Sequence, residues 1–211
     1  MSSRIVIGTR GSRLALYQAE KVKQILLQRF ARLDFIVKVI KTTGDLQPEL
    51  NLLDYKGQGI FCSELEKALL NKEIDMAVHS VKDLPGNLPS GLILAAYLKR
   101  DDPREVLVSA DGLGLEELPH EATIGTCSVR REIQLKLKRP DLKYLPIRGN
   151  VETRVDKVKQ GRYAATVLAA AGLQRLKMEN VITQYFSVDE FIPAPGQGCI
   201  GVVTRLPILW R

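Results

Sequence analysis

The stretch Ile7-Gly8-Thr9-Arg10-Gly11-Ser12-Arg13 (IGTRGSR) returns in altered form as Ile124-Gly125-Thr126-Cys127-Ser128-Val129-Arg130 (IGTCSVR). The first copy follows the apolar run that begins at Arg4 and leads into Leu14, Tyr17, Val22, Ile25, Leu26 and Phe30 at helical spacing. The second grows out of the strand-like Ala122 to Thr126 and leads into Ile133, Leu135 and Leu137 before Pro140 stops the helix. Both read as strand, loop and helix, with Gly-Thr at the strand end and a serine and an arginine at the helix mouth. Two such units in one chain imply two lobes. In each, the backbone N–H groups of a helix start would favour an anion.

The same alternation extends outward from both copies. Asp34 to Ile40 reads as a strand, Phe61 to Leu70 as a helix and Ile74 to Val78 as a third strand, which ends on His79, Ser80, Lys82 and Asp83. Gly91 to Tyr97 is strand-like, and the charged break Lys99 to Arg104 reads as a crossover into the second lobe. There Tyr144 to Ile147 and Thr166 to Ala169 are expected strands, and Val151, Val155 and Val158 mark a helix between them. Pro193 to Gly198 reads as a second crossover, after which Ile200 to Val203 returns to the first lobe. The expected fold class is α/β: two lobes, each a mostly parallel sheet flanked by helices, with a cleft between them.

Composition limits the function. The chain has 211 residues, 31 Lys+Arg against 24 Asp+Glu and a net charge of +7, so an anionic partner is implied. Aromatic residues make up only 6%, and the arginines of interest stand singly or in one pair near turns, which argues against a nucleic-acid surface. No apolar run approaches the roughly 20 residues of a membrane helix. The three cysteines are widely spaced and suggest neither a disulfide framework nor a metal site. Reduced thiols and a cytoplasmic location are expected.

Arg10, Arg130, Arg131, Arg148, Arg154 and Arg175 all fall near expected strand ends or helix starts. A guanidinium fork suits carboxylates, so the six point to a small ligand with several acidic groups, helped by Ser12, Thr126 and Ser128. Asp83 is the acidic exception. A carboxylate in such a setting needs a chemical reason, such as stabilising a cation or moving a proton. His79 is expected to be structural and Cys127 to be a small packing residue.

These residues sit in motifs, IGTRGSRLALYQA, KGQGIFCSELEKALL, DMAVHSVKDLP, IGTCSVRREIQL, IRGNVETRVDKV, LAAAGLQRL and PAPGQG, that together resemble the porphobilinogen deaminase (hydroxymethylbilane synthase) family in order and nearly to Thr204. The resemblance implies lobes like those of type II periplasmic binding proteins, with domain 1 over 1–98 and 197–211 and domain 2 over 99–196. It implies a cytoplasmic transferase of tetrapyrrole and haem biosynthesis that deaminates four porphobilinogen molecules and joins them into hydroxymethylbilane. By resemblance Asp83, with Lys82, is catalytic and supports the cationic azafulvene and pyrrole N–H intermediates. Arg10, Arg130, Arg131, Arg148, Arg154 and Arg175 would bind acetate and propionate groups, with Ser12, Gln18, Ser80, Thr126, Ser128 and Gln197 completing the cleft and Phe61 stacking on cofactor rings.

The family implies a dipyrromethane cofactor held by a cysteine in a third domain, in a Leu-Glu-Gly-Gly-Cys-like motif. These 211 residues contain no such motif. The expectation is therefore a form without the cofactor-attachment domain or its cysteine, monomeric or partnered by a separate third-domain chain, with impaired activity. Gln58 also stands where many relatives carry a basic residue. A non-catalytic binder of pyrrole polycarboxylates or other small anions is the alternative.

Overall fold

A computed structural model describes residues 4–41 and 63–206, so Phe61 and Gln58 lie outside the described residues. The described residues divide into two compact units, one built from the segments up to Arg100 and from Cys199 onward, the other from Asp101–Gly198. The first contains β1 (Arg4–Thr9), α1 (Arg13–Arg29), β2 (Asp34–Val39), α2 (Ser63–Leu70), β3 (Met76–Ser80) and β4 (Leu92–Tyr97). The second contains β5 (Glu105–Ser109), β6 (Thr123–Gly125), α3 (Val129–Lys138), β7 (Lys143–Leu145), α4 (Val151–Lys159), β8 (Ala165–Ala169), α5 (Ala170–Arg175) and β9 (Gln184–Tyr185). β10 (Ile200–Arg205) rejoins the first unit.

The two sheets share one plan. Their strand orders are β2-β1-β3-β10-β4 and β7-β6-β8-β5-β9. In the first, β1 pairs in parallel with β2 and β3, whereas β10 runs antiparallel to β3 and β4. In the second, β6 is parallel to β7 and β8, and β5 is antiparallel to β8 and β9. In each sheet four strands thus run the same way, as a mostly parallel sheet requires, and one, β10 or β5, runs against them. The strands linked by helices are parallel because a crossover returns the chain to the same end, while β10 and β5 arrive without such a helix and pair the other way. β5 begins directly after the charged break Lys99 to Arg104, in a segment where the sequence suggests no strand. All five of its residues, Glu-Val-Leu-Val-Ser, are buried, as befits a central strand covered on both faces.

Each sheet buries apolar side chains on both sides. In the first unit, Ile7, Phe35 and Val78 pack with Ala19 and Val22 of α1, while Ala77 and Val203 pack with Leu65 and Leu69 of α2. In the second, Leu107, Ile124 and Val167 meet Leu135 of α3, and Val106, Val108 and Leu168 meet Val155 and Val158 of α4. Neighbouring residues of β5 fall in different clusters, the alternation that a pleated strand imposes. Among the described residues, no helix is long and apolar enough to cross a membrane.

Candidate active site

Each unit opens a recess where a parallel strand ends and a helix begins, beyond β1 and β3 in the first unit and beyond β6, alongside the start of β8, in the second. In the first unit the recess, roughly 70 Å³, is lined by Arg10, Ser12, Gln18, His79, Ser80 and Asp83. Ser12 caps α1, its hydroxyl accepting from the Ala15 N–H at 3.3 Å. Gln18, almost fully buried one turn into α1, donates from Nε2 to Ser80 Oγ at 2.8 Å and so ties the helix to the end of β3. Asp83 ends a single tight turn, Val81–Asp83, that follows β3 directly, and the Val81 N–H donates to the Cys199 carbonyl at 3.0 Å. The turn brings the aspartate into the recess that Arg10 also lines. Lys82 shares the turn and is not among the residues lining the recess.

His79 also borders this recess. Burial first, and the positive charge of Arg10 second, lower its pKa to about 4, so the ring is neutral near pH 7 and adds no charge. Arg10 and Asp83 supply the charges of opposite sign in the lining.

The second recess, roughly 180 Å³, is lined by Thr126, Cys127, Ser128, Arg131, Arg154 and Thr166, with Gly125, Ile147 and Val167. Ser128 caps α3 and accepts from the Arg131 N–H at 3.4 Å, while the Ser128 N–H donates to Thr126 Oγ1 at 3.1 Å. Arg154, on the first turn of α4, is held by a 2.8 Å bond from Nε to the Gly149 carbonyl. Among the described residues, no carboxylate lines this recess. It presents guanidinium groups, hydroxyls and a helix start, a set of donors that accepts anions. Cys127 is exposed and lines the recess, its thiol donating to the Ile147 carbonyl at 3.2 Å. This corrects the expectation that it is a packing residue: the strand has already ended at Gly125, and the turn into α3 holds the side chain away from the core.

Several of the expected ligand-binding residues are engaged inside the protein. Glu105, fully buried at the start of β5, accepts from Arg131 Nε at 3.0 Å and Nη2 at 2.8 Å, and also from Arg130 Nη2. Arg130 donates in addition to the Ile192 carbonyl. Arg175 reaches Asp101 Oδ2 at 3.0 Å through Nε and the Gly198 carbonyl at 2.6 Å through Nη2. Gln197, fully buried, donates to the Pro103 carbonyl at 2.8 Å. The Arg148 carbonyl accepts from Lys157 Nζ at 3.0 Å, and Arg148 is not among the residues lining either recess. Glu105 and Asp101 are the partners missing from the sequence reading. The one available hint was a glutamate heading an otherwise apolar segment, EVLVS.

Comparison with known proteins converges on one family. Residues 5–207 match the family profile described as porphobilinogen deaminase, dipyromethane cofactor binding domain. The chain belongs to the porphobilinogen deaminase family. Porphobilinogen deaminase of Desulforudis audaxviator is 48% identical over 205 residues, covering 97% of this chain and 66% of the relative. That of Clostridioides difficile is 46% identical over 202 residues, covering 95% of this chain and 67% of the relative. The chain thus spans about two thirds of the length of these members. The fold is also that of the periplasmic aliphatic sulphonate binding protein SsuA from Escherichia coli, with a TM-score of 0.55 at 12% identity, covering 98% of this chain and 63% of that one.

Proposed function

We propose that this chain carries the transferase chemistry of its family: four porphobilinogen units lose ammonia and are joined, and water, cleaving the tetrapyrrole from its primer, supplies the hydroxyl of hydroxymethylbilane, in the cytoplasm and within tetrapyrrole and haem biosynthesis. The observation that carries the reading is Asp83 beside Arg10, Ser12, Gln18 and Ser80 in one recess. In each cycle an aminomethyl C–N bond breaks, ammonia takes the electron pair and a proton, and a C–C bond forms to a pyrrole carbon that then loses its proton. A cation develops on the pyrrole as ammonia departs. The Asp83 carboxylate stabilises that cation, accepts a hydrogen bond from the ring N–H and assists the proton transfers. Arg10 binds a substrate carboxylate, and the Gln18–Ser80 hydrogen bond fixes the wall against which the ring sits.

The residues of the second recess fit the dipyrromethane of the family, because its acidic side chains need donors and the lining offers them with no competing carboxylate among the described residues. Thr126, Ser128, Arg131 and Arg154 would hold those side chains. When bound, the group supplies the primer to which substrate is joined. In this reading its covalent anchor comes from a third domain, and the two units act as a monomer.

The test is release of ammonia from porphobilinogen by the full chain supplied with dipyrromethane primer, with and without a third domain added. Activity is expected in at least one arm, and Asp83→Asn should lower it about a hundredfold or more, in the range of lost acid–base and electrostatic assistance. Binding of porphobilinogen with no turnover in any arm would leave the chain a binder and overturn the catalytic reading.

A further inference from the structure

The sequence pairs Arg130 and Arg131 as two equivalent ligands, but Glu105 makes them unequal. Its carboxylate is fully buried, and it accepts from Nε and Nη2 of Arg131 in a bidentate fork at 3.0 and 2.8 Å. Arg130 adds a second guanidinium to the same carboxylate and turns its Nη1 to the Ile192 carbonyl. Arg131, 8% exposed, lines the recess, whereas Arg130 is not among the lining residues. The cluster therefore carries one net positive charge, and its two arginines divide the work. With Nε and Nη2 of Arg131 committed to Glu105, Nη1 is the nitrogen that makes no hydrogen bond among the described residues.

We infer that Glu105 is a positioning residue of the second recess: from the central strand it locks the guanidinium of Arg131 in one orientation, with Arg130 serving as the further counter-charge rather than as a ligand. The physical ground is the cost of the arrangement. A carboxylate wholly removed from water is unfavourable unless it is paired and hydrogen-bonded, and an apolar residue would serve packing as well or better. What the ion cluster adds is a rigid arginine. A fork held at two points loses little further freedom on meeting a ligand carboxylate.

The inference deepens the proposed function, because it assumes that this recess takes pyrrole carboxylates. Calorimetric titration of the full chain with porphobilinogen, run on wild type, Glu105→Gln, Arg131→Ala and the double variant, tests it. Glu105→Gln should weaken binding about tenfold, roughly one charge-assisted hydrogen bond, and this effect should vanish in the Arg131→Ala background. An equal effect in both backgrounds, or none in either, overturns the inference. If wild type binds no porphobilinogen, the functional reading fails separately, and the side-chain 15N spectrum decides the positioning. A distinct, slowly exchanging Arg131 Nε–H signal that is lost in Glu105→Gln supports it; an unchanged signal overturns it. Should Glu105→Gln not fold, Glu105→Asp replaces it in both experiments, with the same outcomes deciding.

Discussion

His79 shows how one buried side chain ties the recess to stability. In the unfolded chain a histidine titrates near 6.5, whereas in the fold burial and Arg10 hold His79 near 4. Its folded pKa is depressed, so the unfolded state binds more protons below pH 6.5. The associated stability is present above that pH and is lost as pH falls toward 4. Between pH 7 and pH 5 the loss should be about 2 kcal/mol from this group alone. Urea unfolding of wild type and His79→Gln at the two pH values checks it: the variant should show a slope smaller by about that amount. The same residue illustrates what sequence carries at this scale. That His79 ends an apolar strand was visible in DMAVHS; which arginines are tied to carboxylates within the protein was not. Arg131, Arg130 and Arg175 look alike in sequence, and only the fold reveals that their partners Glu105 and Asp101 lie 26, 25 and 74 residues away.

The strand-to-helix junctions are the elements on which both recesses depend. Gly8 and Gly125 occur in both copies of the repeated stretch for the same spatial reason. A Cβ on Gly8 would run into Ile74, and a Cβ on Gly125 would lie 2.8 Å from Ile147 Cβ and 2.9 Å from Tyr163 Cδ1. Gly125→Ala should therefore destabilise the protein by about 1–3 kcal/mol through overpacking. A Cβ on Gly86 meets nothing within 4 Å, so Gly86→Ala should be close to neutral in the same thermal melts. A variant at Gly125 as stable as wild type would show that Ile147 and Tyr163 yield without cost. These junctions were legible because Gly-Thr, a capping serine and a helical period follow one another along the chain, so local chemistry specifies them. β5 was not legible. Its five residues follow the charged Asp101 to Arg104, and nothing local tells a central strand from a connector when its partners, β8 and β9, lie some sixty to eighty residues on. Strand direction is hidden for a similar reason: period-two patterning is the same in parallel and antiparallel pairs.

At the scale of the molecule, the two ends of the second unit meet. The Asp101 N–H donates to the Gly198 carbonyl at 3.1 Å, and the same carbonyl accepts from Arg175 Nη2, while Arg175 Nε holds the Asp101 carboxylate. Gln197 and Pro103 are joined by a further bond of 2.8 Å just inside. A segment whose ends are pinned together, and whose apolar clusters are its own, has what it needs to fold as an insertion. Arg175, expected from sequence to meet a ligand, clasps that closure. Residues 101–198 expressed alone should unfold in one cooperative transition. Arg175→Ala in that fragment should cost about 2–3 kcal/mol, because it removes charge-assisted bonds and strands polar groups at a buried site. Urea denaturation followed by circular dichroism checks both. A fragment with no cooperative transition, beside an intact chain that has one, would mean that the second unit draws its stability from residues outside 101–198, and the clasp would then be a consequence of folding rather than one of its causes.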